Sequence, residues 1–215
     1  MERHDIPSSL AHLTGIAQES IQGFARLFQP IELDRNQVLC GPGQNGRSIY
    51  LLTRGLLHHY RKSAESQAEN DNIHQDPTHD KAQSNQTLNI YLPGSYIGSP
   101  ARLLAPSQLD YVTALGPSIL LATSQLKLQG HCLLDPDASQ LLFAIQQATL
   151  QNQLRLIEML HLQPAGRRQQ VMSENLGDYL GKIPRQVLAS YLALSRKHLG
   201  RLIREQKAII EKGKI

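Results

Sequence analysis

Cysteine is nearly absent: the 215 residues include two, Cys40 and Cys132, far apart and outside any CxxC pair. That spacing excludes a disulfide scaffold and shows no zinc or iron–sulfur motif. No apolar run approaches the ~20 residues needed to span a bilayer. The start, Met1-Glu2-Arg3-His4-Asp5, has neither the basic segment nor the apolar segment of a secretory leader. The expectation is a cytoplasmic protein with no membrane partner. Internal repeats are lacking, and a strong overall charge is lacking too, the formal balance being +4.

What is present is ordinary for a globular chain: 40% hydrophobic and 19% charged residues. One or two domains fit the length, and such a chain can bury a core without staples. The small net charge conceals a division. Up to Gln163 there are 11 Lys and Arg against 14 Asp and Glu, whereas from Pro164 onward there are 11 against 4. A segment at −3 followed by one at +7 points the basic part at a polyanion, of which nucleic acid is the commonest.

Between Ser8 and Phe28 the apolar residues Leu10, Leu13, Ile16, Ala17, Ile21, Phe24 and Leu27 share a helical stripe closed by Pro30. The pattern then changes to short runs rich in Leu, Ile, Val and Tyr: Ser48 to Thr53, Leu56 to Arg61, Thr87 to Leu92, Tyr111 to Leu115 and Ile119 to Ala122. Turns at Gly41-Pro42-Gly43, Arg54-Gly55, Pro93-Gly94 and Gly116-Pro117 separate them, which predicts an all-β sandwich or barrel. Ser63 to Gln86, with five acids, one lysine and little to bury, reads as a mobile hairpin loop. From Asp137 to about Leu162 one helix is predicted, preceded by Pro136 and capped by Asp137 or Ser139. It would be close to 40 Å long at ~1.5 Å per residue. Its stripe of Leu141, Leu142, Ile145, Ala148, Thr149, Leu156 and Met159 suits a twin helix from a second chain. The expected organisation is residues 1–136 as a β sensor domain with N-terminal helices and the 63–86 loop, 137–163 as a dimerisation helix, and 164–215 as the basic domain.

That basic domain carries the most specific pattern. Pro184 suits the first turn of a helix and Ser195 the N-cap of the next. Ala189 provides a small residue where two helices cross, Leu188, Leu192, Leu194, Leu199 and Leu202 face inward, and Ala193 is small at the turn. This is helix-turn-helix spacing. The second helix leaves Arg196, Lys197, Gly200, Arg201 and Arg204 outward, which fits the major groove of double-stranded DNA. Arginine grips guanine O6 and N7 bidentately, whereas lysine acts as a point charge.

With Ile183-Pro184-Arg185, Ala189-Ser190-Tyr191-Leu192 and Leu194 to Arg201 in view, the chain resembles the catabolite-activator/Fnr (Crp/Fnr) family of bacterial transcription factors. The resemblance covers about Ile31 to Arg204. It implies an α+β fold: a cyclic-nucleotide-binding-like β-roll (jelly roll), a long dimerisation helix and a C-terminal helix-turn-helix with a short or absent wing. It also implies a homodimer on an inverted-repeat operator, RNA polymerase as a partner and no catalytic residues. Ser195, Arg196, Gly200 and Arg201 match the family's S-R-x-x-x-G-R pattern, and Lys197 stands where the catabolite activator has an acidic base-reading residue. The DNA-binding set is therefore Ser195, Arg196, Lys197, Arg201 and Arg204.

The effector region departs from the family. Where members that bind cyclic AMP have Phe-Gly-Glu, this chain reads Ile97-Gly98-Ser99, and the phosphate-binding arginine position falls on about Gln108. Gly98, Ser99 and Gln108 would line the corresponding pocket, but a buried phosphate would lack its cation. The resemblance is to a divergent branch without the nucleotide-binding residues, so cyclic AMP is not expected as effector. No cofactor or metal is expected, and a small-molecule effector stays open. Two other readings rest on His58 and His59: a haem or small-ligand sensor, and a metal-dependent cupin-like enzyme. Neighbours on a strand face opposite sides, so one of the two histidines would enter the roll and the other be exposed. Cupin chemistry wants an H-x-H pair that is lacking here.

Overall fold

The computed structural model describes residues 22–23, 25–42, 48–62, 85–98 and 110–212, and of residues 137, 141 and 207–212 it describes the backbone alone. Of the stretch 8–28 expected to be helical, residues 22–23 and 25–28 are described, Arg26 and Leu27 in a turn, and the rest lies outside the described residues, as does most of the 63–86 loop. Gln86, assigned to that loop above, instead opens a strand.

Among the described residues eight strands form two four-stranded sheets. β1 (Gln29–Leu33), β8 (Ser118–Ser124), β3 (Ser48–Arg54) and β6 (Tyr96–Ile97) lie side by side in that order. The second sheet runs β2 (Val38–Cys40), β7 (Tyr111–Ala114), β4 (Leu57–Arg61) and β5 (Gln86–Tyr91). β8 pairs antiparallel with β1 and β3, Leu51 facing Leu121 and Ile31 facing Leu120. Consecutive apolar residues in β3 and β8 follow from burial on both faces. Leu52 and Leu120 point into the roll with Leu57, Ile97 and Val112. Ile49, Leu51 and Leu121 point the other way, under Ala25, Phe28, Leu128, Ala138 and Ile145. Gly55 makes the β3–β4 turn at φ +97°, where a Cβ would collide with Ser118 Oγ and lie 2.7 Å from the Pro117 carbonyl oxygen. Gly is the residue that this turn admits.

A helix not anticipated above, α1 (Gln125–Leu134), follows β8, and α2 (Pro136–His161) follows it. α2 begins at Pro136, where a missing N–H is harmless. Its cap differs from the expectation. Asp135, not Asp137 or Ser139, accepts the Ala138 N–H at 3.4 Å, and the Ser139 hydroxyl donates to the Cys132 carbonyl at 2.7 Å. Then come α3 (Ala165–Leu176), a 3-10 turn (Gly177–Lys182), α4 (Arg185–Tyr191) and α5 (Arg196–Lys212). Met159, Met172, Leu176, Ile183, Leu188, Ala189, Leu192 and Leu199 are buried in this C-terminal part. The chain forms two compact units, Met1–His59 with Ile90–Leu154, and Tyr60–Asn89 with Arg155–Ile215.

Candidate nucleic-acid interface

α4 and α5 meet at a four-residue turn, Leu192 to Ser195, whose hydrogen bonds are local. Ala193 N–H donates to the Ser190 carbonyl at 3.1 Å, and Leu194 N–H to the Ala189 carbonyl at 2.9 Å. Ala193 takes φ +53°, a left-handed conformation in which a small side chain meets the least resistance. Ser195 caps α5 as its type suggests, its hydroxyl accepting the His198 N–H at 3.1 Å. Leu188, Ala189, Leu192 and Leu199 are buried, while Leu194 and Leu202 are half-buried. Pro184 sits one place earlier than expected, at the N-cap of α4.

Packing one face inward leaves the other as a cationic surface. Ser195, Arg196, Lys197, Arg201 and Arg204 are all exposed. Arg201 Nε lies 3.7 Å from Glu205 Oε1, and the two side chains are 63% and 58% exposed. An exposed i,i+4 pair is worth ~0.3–0.5 kcal/mol, so Arg201 is easily drawn to a stronger acceptor. Arg204 Nε donates to the Gly200 carbonyl at 3.3 Å, and the side chain is exposed. Lys182 lies over the Tyr179 ring, 5.2 Å from its centre. α5 continues to Lys212, the last described residue.

The stripe assigned to a partner helix is divided by the structure. Ile145 belongs to the core beneath the first sheet, and Leu142 packs on that core. Met159 is 3% exposed within its own chain. Thr149 donates to the Ile145 carbonyl at 2.9 Å, Leu156 is half-buried, Ala148 is exposed, and the side chain of Leu141 is not described. A different set stands in solvent: Phe143 at 66%, Leu150 at 55%, Leu154 at 48% and Ile157 at 51%. With the exposed Gln147 and His161 these recur at alternating steps of four and three, the spacing of a coiled-coil seam.

In the roll, one histidine faces inward as expected above, but the other is not exposed. His59 shares the inward face of β4 with Leu57, its ring stacks on Tyr91 with centres 5.9 Å apart, and its Nδ1 is 3.3 Å from the Tyr91 hydroxyl. Its Nε2 lies 3.5 Å from Asp110 Oδ2. His58 faces the other way and is buried, whereas His59 is half-buried, and burial first, then the adjacent His59, pushes the His58 pKa down to about 4. Among the described residues no group of three or more His, Cys, Asp and Glu side chains could hold a metal ion. Gly98 takes φ +106°, where a Cβ would lie 2.7 Å from the Ser48 carbonyl oxygen, so close backbone approach accounts for it. Ser99 and Gln108 lie outside the described residues.

Sequence reasoning also passed over Ser190, whose hydroxyl bonds the backbone of residues 85 and 87. Its only sequence signal was a hydroxyl near the end of a short helix.

No protein-family model and no curated protein sequence matches the chain. Solved structures do. FixK2 from Bradyrhizobium japonicum superposes with a TM-score of 0.66 at 14% identity, over 84% of this chain and 85% of that one. CLP from Xanthomonas campestris, described as a c-di-GMP responsive global regulator, gives 0.64 at 16%, over 89% and 92%. A CooA mutant from Carboxydothermus hydrogenoformans gives 0.60 at 18%, over 87% and 80%. Identities this low establish the architecture alone: a cyclic-nucleotide-binding-type jelly roll, a long helix and a C-terminal helix-turn-helix, the fold of these neighbours.

Proposed function

We propose that the protein is a homodimeric, sequence-specific DNA-binding regulator of transcription. The observation that carries this reading is the exposed face of α5, where Arg196, Lys197, Arg201 and Arg204 project from a helix whose N-terminus is fixed by Ser195. A helix presented in this way enters the major groove with its first residues nearest the base edges. Arg196 and Arg201 are assigned to guanine or adjacent phosphates, and Lys197 and Arg204 to phosphates.

A second copy of the chain is the occupant we assign to the Phe143, Leu150, Leu154 and Ile157 face of α2. The four–three spacing selects a like helix, and two recognition helices related by a two-fold axis address half-sites ~34 Å apart on an inverted repeat. In this reading residues 1–136 form the sensor region, 137–163 the dimer helix and 164–215 the DNA-binding region, acting in the cytoplasm with RNA polymerase as partner. The absence of a carboxylate at Ser99 and of an arginine at Gln108 favours an effector other than cyclic AMP. No catalytic role is assigned to any residue. The involvement of His59 with Tyr91 and Asp110 argues against the cupin and haem readings.

The test is affinity for promoter fragments against random duplex at several salt concentrations. Phosphate contacts release counterions, so binding should weaken steeply as salt rises. Arg201→Ala should lower specific affinity by about 1–3 kcal/mol if Arg201 reads a base. Equal affinity for all duplexes, with the substitution inert, would sink the reading.

A further inference from the structure

We propose that Ser190 is a positioning residue for the recognition helix, its hydroxyl strapping α4 to the start of β5. The inference rests on the DNA-binding reading. The Ser190 hydroxyl accepts the Thr87 N–H at 2.8 Å and donates to the Asn85 carbonyl at 3.0 Å. One side chain thus satisfies two backbone groups of a segment about a hundred residues distant in sequence. Serine hydroxyls within helices commonly turn back on their own carbonyls, and this one is directed outward to another element.

Three further features make the contact consequential. Thr87 is 8% exposed, so an N–H abandoned there would find no ready replacement in solvent. α4 has seven residues and no side-chain cap at its N-terminus, which makes a restraint near its C-terminus important to its orientation. The Ser190 carbonyl also accepts the Ala193 N–H that closes the turn into α5. The residue therefore joins the hairpin on one side to the turn before the recognition helix on the other. Fixing α4 in advance reduces what must be ordered when DNA binds, so the strap favours operator binding.

The experiment compares the full chain with Ser190→Ala and Ser190→Thr by amide exchange, circular dichroism and affinity for operator and random DNA. With the fold retained, Ser190→Ala should exchange the Thr87 amide and lose operator affinity by about two- to tenfold, the range a single hydrogen bond supplies. Affinity for random DNA should stay unchanged, and Ser190→Thr, which keeps the hydroxyl, should restore both properties. Unchanged exchange at Thr87, equal losses on both DNAs, or tighter operator binding by Ser190→Ala would overturn the strap. If the unaltered protein prefers no operator, the DNA-binding reading fails, and exchange at Thr87 alone then decides the contact.

Discussion

Ala193 carries a backbone conformation that its own Cβ opposes. At φ +53° an L-residue is strained by ~1–2 kcal/mol, and glycine escapes that strain while losing more entropy on folding. Ala193→Gly should therefore raise the melting temperature by roughly 2–4 °C per kcal/mol gained, and Ala193→Val should lower it, as differential scanning calorimetry would show. His58 makes a prediction of a different kind. Its folded pKa of about 4 lies below the usual 6.5, so between those values the unfolded chain binds the extra proton. The stabilisation is present above pH 6.5 and is lost as pH falls toward 4, up to about 3 kcal/mol in all. Urea midpoints should fall across that window, and His58→Gln should flatten the fall. An identical slope in the variant would assign the acid sensitivity elsewhere. A buried hydroxyl, that of Tyr96, has no hydrogen-bond partner among the described residues, and burial pushes its pKa upward.

Helix α2 shows why elements were legible in part. Its apolar residues populate two faces, and periodicity reports that a helix has a stripe without saying which neighbour covers it. Ile145 and Leu142 go to the protomer's own core, whereas Phe143, Leu150, Leu154 and Ile157 stand in solvent. The two faces separate by mutation. Ile145→Ala should destabilise the protomer by about 2–5 kcal/mol while leaving its association state unchanged. Leu150→Glu should leave the far-ultraviolet dichroism intact and convert a dimer to a monomer in sedimentation equilibrium. A dimer that survives Leu150→Glu would remove that face from the interface. The helix-turn-helix was readable because its determinants are local: Ser195 caps within three residues, and Ala193 answers to its own φ. α1 was not, since Leu126, Leu133 and Leu134 are exposed and its buried positions are Gln125 and Leu128, which blurs the period. β6 spans two residues, too few for an alternating pattern. The neighbours of His59 come from β5 and from the residue before β7, a juxtaposition that spacing along the chain does not reveal.

At the scale of the whole molecule, charge and architecture agree. Of the 11 cations and 4 acids from Pro164 onward, all but Lys214 belong to the stretch that folds as α3 to α5, and those on the outward face of α5 include Arg196, Lys197, Arg201 and Arg204. An acidic first part keeps the sum small while the basic part keeps a field of its own, which speeds encounter with a polyanion. The effector region is the part where the sequence resemblance is weakest, because by that resemblance Ser99 and about Gln108 would stand where a cyclic nucleotide requires a carboxylate and an arginine. Paired α5 helices are what the account adds to the fold, and their symmetry should be written in the DNA they select. The most direct measurement is selection from a random duplex pool by the purified protein, followed by sequencing. The account predicts an enriched inverted repeat with half-site centres about 10 base pairs apart, and loss of enrichment at one symmetric position in Arg201→Ala. A pool with no enriched motif, or a motif without two-fold symmetry, would contradict it.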